Sequence, residues 1–178
     1  MGFPAMNFMT NKQASDKQEK MIADYLGWKQ VSGSGARPNH PGDILGEEWM
    51  GECKTHTTPN HKIIFKKSVW DKLCEESSSR FKFPAYFSDD GSQKYYNTWV
   101  VFNEMQLPND SYSVTPLDEN IGVSFSFSDR PKCVQPFDDL THKIFSFSFE
   151  TSHTTLSYRR GGLYLTLLGT FRDIINLE

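Results

Sequence analysis

Asp43 and the run Glu52-Cys53-Lys54, nine residues later, put two carboxylates and one amine in the pattern that metal-assisted phosphodiester hydrolysis needs. In a short strand over Trp49 to Thr55, period-two alternation sends Glu52 and Lys54 to one face and Cys53 to the other. Asp43-Ile44-Leu45 reads as the preceding strand. A turn through Gly46-Glu47-Glu48 then folds it back, so that Asp43 lies beside Glu52 across a hairpin. Two acids suffice for Mg2+, which keeps several waters and accepts one or two carboxylates when a phosphate supplies further oxygens. An ammonium at Lys54 orients the attacking water and offsets charge in the transition state, while the cation polarises the phosphate. The competing reading of an acid-x-Lys strand is a solvated surface ion pair, so the surrounding sequence has to decide.

The elements that position these groups are legible upstream. Ser15 or Asp16 can cap a helix to Leu26 that carries Met21, Ile22, Tyr25 and Leu26 at helical spacing, with Gly27 ending it. Glu19 sits at the edge of that apolar stripe. Residues 32 to 42 are rich in glycine and proline and read as a loop. Arg37 and His40 there are suited to phosphate contact, and backbone N–H groups with the Ser32 and Ser34 hydroxyls can meet phosphate oxygens; the competing reading is a long turn joining two strands. After Lys54 comes a polar turn, then a strand ending at Phe65 and a helix with Val69, Trp70, Leu73 and Cys74 inward. Lys62, Lys66, Lys67 and Lys72 cluster beside it, as a set that tracks a nucleic-acid backbone or as an ordinary solvated helix start. Strands are expected at 81 to 87 and 95 to 102.

This order of pieces resembles the PD-(D/E)xK nuclease superfamily, and within it the archaeal-type Holliday-junction resolvases and their phage relatives. The resemblance rests on a Glu-bearing helix ending in Leu26-Gly27-Trp28, the stretch Ser32-Gly33-Ser34-Gly35, Pro41-Gly42-Asp43 and Glu52-Cys53-Lys54. It covers residues 14 to about 104. It implies a restriction-endonuclease-like α/β core, a mixed central sheet flanked by helices. It implies Asp43, Glu52 and Glu19 as metal ligands together with the Cys53 backbone carbonyl, and Lys54 as the catalytic lysine. Ser34 would lie near the scissile phosphate. The implied cofactor is Mg2+, with Mn2+ able to substitute, and the implied products are a 5′-phosphate and a 3′-hydroxyl. If the substrate is branched or junction DNA, two coordinated sites are needed and a homodimer follows.

Length fits one domain over residues 12–178 behind a tail of residues 1–11. The net charge is −3, but residues 12–82 carry 12 Lys+Arg against 10 Asp+Glu, and that half holds the motif. DNA affinity on this composition is modest and salt-dependent. Three widely spaced cysteines, Cys53, Cys74 and Cys133, argue against a disulfide framework. No signal peptide or membrane span is visible, so the expected location is cytoplasmic, the host cytoplasm if the chain is phage-encoded. There is no P-loop ending, hence no nucleotide cofactor. Cys53, His56 and His61 lack a fourth ligand for zinc. Residues 107–160 read as a β-rich insertion. In it Val123 to Ser128 and Ile144 to Phe149 alternate as half-buried strands, and Tyr158-Arg159-Arg160 lies at its edge. A strand over Gly162 to Leu168 and a helix over Phe171 to Leu177 close the chain. The expected function is a Mg2+-dependent DNA endonuclease, foremost a Holliday-junction resolvase. The rivals are a restriction-like, nicking or general DNA-degrading enzyme, and a non-catalytic DNA- or protein-binding module on the same fold.

Overall fold

The structure, a computed structural model, describes residues 9–33, 42–57, 63–105, 107–108, 110–116, 132–134, 142–147 and 162–177. Ser34, Arg37, His40 and Lys62 lie outside the described residues, as do His61, the 123–128 strand and Tyr158-Arg159-Arg160.

Helix α1 spans Asn11–Leu26. It begins a turn earlier than Ser15 or Asp16 would set it, because Thr10 and Gln13 form a reciprocal capping box that satisfies two otherwise orphaned N–H groups. Gly27 closes it as a left-handed cap. Ala14, Gln18, Ile22 and Ala23 form its buried stripe. Three short strands follow, β1 (Lys29–Gln30), β2 (Ile44–Leu45) and β3 (Trp49–Lys54), paired as an antiparallel meander with Gln30 opposite Ile44 and Ile44 opposite Gly51. After β4 (Ile63–Phe65), helix α2 (Lys67–Ser78) crosses over to β5 (Phe83–Asp89), which runs parallel to β3 with Lys54 opposite Ser88. Strand β6 (Thr98–Asn103) returns antiparallel. Tyr95–Asn97, expected to begin that strand, is a short 3-10 turn instead, held by Asn97 N–H and the Thr98 hydroxyl, which both donate to the Lys94 carbonyl.

Beyond β6 come β7 (Ser113–Pro116), β8 (Lys132–Val134), β9 (Lys143–Phe147), β10 (Leu163–Leu167) and helix α3 (Leu168–Ile175). The α/β expectation holds. Eight strands form one mixed sheet in the order β1-β2-β3-β5-β6-β10-β9-β7, and β4 pairs with β8 separately. Strands β9 and β7 therefore extend the main sheet. The half-buried reading of the strand at 144 fails, since Ile144 packs into one core and Phe145 into the other.

Alternation divides these cores between the two faces of the sheet. Trp49, Cys53, Phe87, Val100 and Phe102 meet Ile22 and Ala23 of α1 and Phe171 and Ile174 of α3. Met50, Tyr86, Trp99 and Val101 meet Phe65 of β4 and Trp70, Leu73 and Cys74 of α2. Phe171 is the hub of the first core. Its ring lies 5.1 Å from Phe102, 5.2 Å from Trp49, 5.8 Å from Phe87 and 6.3 Å from Trp28, all in edge-on geometries.

Two glycines hold the meander close. A Cβ on Gly51 would stand 2.5 Å from Ile44 Cγ1 and 2.8 Å from Phe87 Cε2, so β2 lies as near β3 as it does only because position 51 has no side chain. Gly42 turns the chain into Asp43 with φ +72, and a Cβ there would meet Met50 Cγ at 2.7 Å. Lys82 pins the β2–β3 turn from the far side by donating to the carbonyls of Gly46 (3.0 Å) and Glu47 (2.6 Å).

Phe171→Ala should cost about 3–5 kcal/mol of unfolding free energy in urea titration, because it empties the centre of an aromatic cluster. Gly51→Ala should cost about 1–3 kcal/mol through overpacking against Ile44 and Phe87. A loss within ~0.5 kcal/mol of zero in either variant would contradict this packing.

Candidate functional site

Asp43 is anchored on three sides. Its N–H donates to Gly51 O (2.8 Å), its carbonyl accepts from Val31 N–H (2.8 Å), and its Oδ2 accepts from Cys53 N–H (2.7 Å). The last bond lies beyond the two-residue strand β2, so the carboxylate takes the place of a further ladder partner for β3. It also leaves Asp43 flanking Glu52, as the hairpin reading requires. Glu52 and Lys54 share the face of Met50, and Lys54 Nζ lies 2.5 Å from Glu52 Oε1 and 3.2 Å from the Cys53 carbonyl. Cys53 points to the opposite face, buried against α1.

Burial, then the charge of Asp43, push Glu52 above the usual carboxylate range in spite of Lys54. For Lys54, burial is the largest influence and pulls downward. The charge and hydrogen bond of Glu52, then Asp43, outweigh it, so the ammonium holds its proton above the ordinary lysine value. Burial and the surrounding acids push the Cys53 thiol well up, which leaves it an inert core thiol.

Glu19 approaches from the α1 side. It is buried, accepts from Gln30 Nε2 at 3.1 Å, and is raised to about 7 by burial, with Asp43 and Asp16 adding to the rise and Gln30 and Lys54 opposing it. The structure thus brings Asp43, Glu52 and Lys54 together and places Glu19 within their electrostatic reach from the other layer. Among the described residues no three His, Cys, Asp or Glu side chains gather closely enough to hold a metal ion.

The expected DNA contacts fare unevenly. Ser32 is exposed in the turn after β1, one residue from Val31, whose N–H meets the Asp43 carbonyl. Lys66 is exposed at the start of α2. Lys67 is engaged along its own helix by Asp71 at 2.6 Å, and Lys72 by Glu76 at 3.4 Å.

Sequence reading passed over two site neighbours. Gln18, fully buried, donates from Nε2 to the Lys54 carbonyl at 2.7 Å. Its place in the stripe Ala14-Gln18-Ile22, a polar residue at buried spacing, was the available signal. Asp89, also fully buried, ends β5 beside the end of β3, and burial raises its carboxyl in spite of the hydrogen bonds it accepts. In sequence, Ser88-Asp89-Asp90-Gly91-Ser92 is indistinguishable from an ordinary turn.

No family model matches the chain, and no curated protein or solved structure matches it significantly. No helix among the described residues is long and apolar enough to cross a membrane.

Because the Glu19 carboxyl titrates near 7 in the folded protein against an ordinary value of 4.5, the folded state keeps a proton that the unfolded chain releases first. Its stabilising contribution is present below about 4.5 and lost as pH rises through about 7. Urea midpoints of the metal-free protein should therefore fall between these pH values more steeply for wild type than for Glu19→Gln. Parallel curves would contradict the placement of Glu19.

Proposed function

We propose that the chain is a Mg2+-dependent DNA endonuclease of PD-(D/E)xK type on a restriction-endonuclease-like core. The observation that carries this reading is the convergence of Asp43 and Glu52 on one hairpin with Lys54 bonded to Glu52. Burial and the charge of the buried Asp43 raise the proton affinity of the half-buried Glu52, and a hard divalent cation held between the two acids relieves that repulsion.

The donor set fits such a cation. Asp43 and Glu52 offer hard oxygen ligands from a rigid edge, the Cys53 carbonyl lies on the same strand end, and Glu19 can add charge from α1. Mg2+ takes one or two carboxylates and completes its shell with water and phosphate, so a third acid at contact distance is not required. When bound, the cation supplies charge to polarise the scissile phosphate and to make a water more acidic. Lys54, kept protonated by its acidic neighbours, orients the attacking water and offsets the charge that builds on the phosphate oxygens. Ser32, in the turn after β1, and Lys66, at the start of α2, are exposed, and in this reading they meet flanking phosphates. The Ser34, Arg37 and Lys62 contacts belong to the same reading.

Branched or junction DNA is the substrate favoured by the sequence resemblance, with a homodimer providing the second cut. Restriction-like or nicking activity on linear duplex uses the same chemistry. A binding module that retained the fold without catalysis has no need of the Glu52–Lys54 pair beside Asp43.

Labelled four-way junction, linear duplex and single-stranded DNA incubated with Mg2+ or EDTA separate these readings. Metal-dependent cutting that falls by about 10²–10³-fold in Lys54→Ala is expected, with paired nicks on the junction and a dimer by light scattering on DNA. Absence of cutting on every substrate under Mg2+ and Mn2+, with DNA binding retained, would replace the nuclease with the binding module.

A further inference from the structure

Beyond Lys54 the chain leaves β3 through a second buried polar cluster that the acids and lysine do not account for. The Thr55 hydroxyl donates to Asp89 Oδ1, which also accepts from Gly91 N–H at 3.0 Å. Asp89 is 0% exposed, and its Oδ2 has no hydrogen-bond partner among the described residues. Gln93 folds back over the same point. Its Nε2 lies 3.1 Å from Thr55 Oγ1, 3.1 Å from the His56 carbonyl and 2.8 Å from the Gly91 carbonyl. With Gln18 holding the Lys54 carbonyl from α1, residues 54, 55 and 56 are each gripped from a neighbouring element.

This arrangement is costly. Burying a carboxylate with one oxygen unpartnered carries a desolvation penalty. Gln93 reaches its position with φ 50, a left-handed conformation that is unfavourable for a residue other than glycine. Both costs fall on residues that bond to Thr55 and His56, the two residues that follow Lys54. The turn itself has other support, since Asp90 accepts from Ser92 N–H at 3.0 Å and Asn97 Nδ2 at 3.1 Å. The bonds from Asp89 and Gln93 to Thr55 and the His56 carbonyl reach outside that turn, to the chain leaving β3.

We propose that Thr55, clamped by Asp89 and Gln93, is a positioning residue that fixes the end of β3 and thereby the catalytic amine of Lys54. The proposal rests on the nuclease reading. Lys54 is a long, partly exposed side chain at the last residue of its strand, where the ladder ceases to restrain the backbone. The clamp restrains the residue after it, and the Gln18 bond restrains its own carbonyl. None of the three clamp residues needs to touch substrate. Misplacement of a catalytic group by ~1 Å can cost about 10²-fold in rate, so the effect appears in kcat.

The test uses the full chain and the DNA that the wild type cuts. Thr55→Val removes the hydroxyl at nearly constant volume, and Thr55→Ser restores it without the methyl. Thr55→Val should lower kcat by about 10–10²-fold with KM within about twofold of wild type, and Thr55→Ser should recover kcat to within about threefold. Should Thr55→Val fail to fold, Gln93→Leu makes the same comparison, since it removes the amide and leaves the Thr55–Asp89 bond. A kcat loss of about tenfold is expected there. Wild-type kcat in Thr55→Val or, in its stead, Gln93→Leu would overturn the proposal, as would a Thr55→Ser loss as large as that of Thr55→Val. A wild type that cuts no DNA overturns the nuclease reading and this proposal together, whereas a cutting wild type with an unaffected Thr55→Val overturns this proposal alone.

Discussion

The hydrogen bond from Cys53 N–H to the Asp43 carboxylate is the constraint on which the site depends. Strand β2 is two residues long and begins at Ile44, opposite Gly51, so none of it pairs with the last part of β3. An amide left unpaired at that buried position costs about 1–3 kcal/mol, and the Asp43 side chain removes that cost while bringing its charge to Glu52. The same geometry requires Gly42 in a left-handed turn and no side chain on Gly51. Folding thus brings two acids together, and the hairpin that does so is stabilised by bonds to one of them.

The electrostatic consequence is a concentration of acids around the end of β3, with Asp43 and Glu19 buried and Glu52 half-buried. Glu52 and Glu19 are both pushed upward, chiefly by burial, while Lys54 keeps its proton because Glu52 and then Asp43 outweigh its burial. A stability-optimised edge would carry apolar residues or one neutral pair here. The two-sided core provides the rigid frame for that charge: the Phe171 cluster holds α1 and α3 on one face, and Trp70, Leu73 and Cys74 hold α2 on the other. Glu52 and Lys54 project on the α2 face, and Glu19 comes in from α1, so the charged groups lie around the end of β3 and not in a single layer.

What was legible in the sequence was local. Alternation along Trp49 to Lys54 separated Glu52 and Lys54 from Cys53, Gly46-Glu47-Glu48 announced the hairpin, and Gly27 ended the first helix. The start of that helix was misread because Ser15 and Asp16 are equally good caps, and the Thr10–Gln13 reciprocity decided the matter. What stayed hidden depended on non-local pairing. That β5 runs parallel to β3, bringing Asp89 beside Thr55, has no signature in either strand. The pairing of β4 with β8 and the burial of Ile144 and Phe145 in β9 likewise arise from distant neighbours, Val134 beside Ile63 and Leu165 beside Phe145. The run Tyr95 to Phe102 consists of strand formers, and only the hydrogen bonds to the Lys94 carbonyl turn its first three residues into a 3-10 turn.

The central claim is that Asp43 and Glu52 together form a divalent-cation site. Mn2+ binding followed by electron paramagnetic resonance, comparing wild type with Asp43→Asn, tests it most directly, because asparagine keeps an acceptor for Cys53 N–H and removes only the charge. The account predicts one bound ion in the wild type and at least about a tenfold loss of affinity in Asp43→Asn, at a metal-free thermal midpoint no lower than that of wild type. Equal Mn2+ affinity in the two proteins would contradict it.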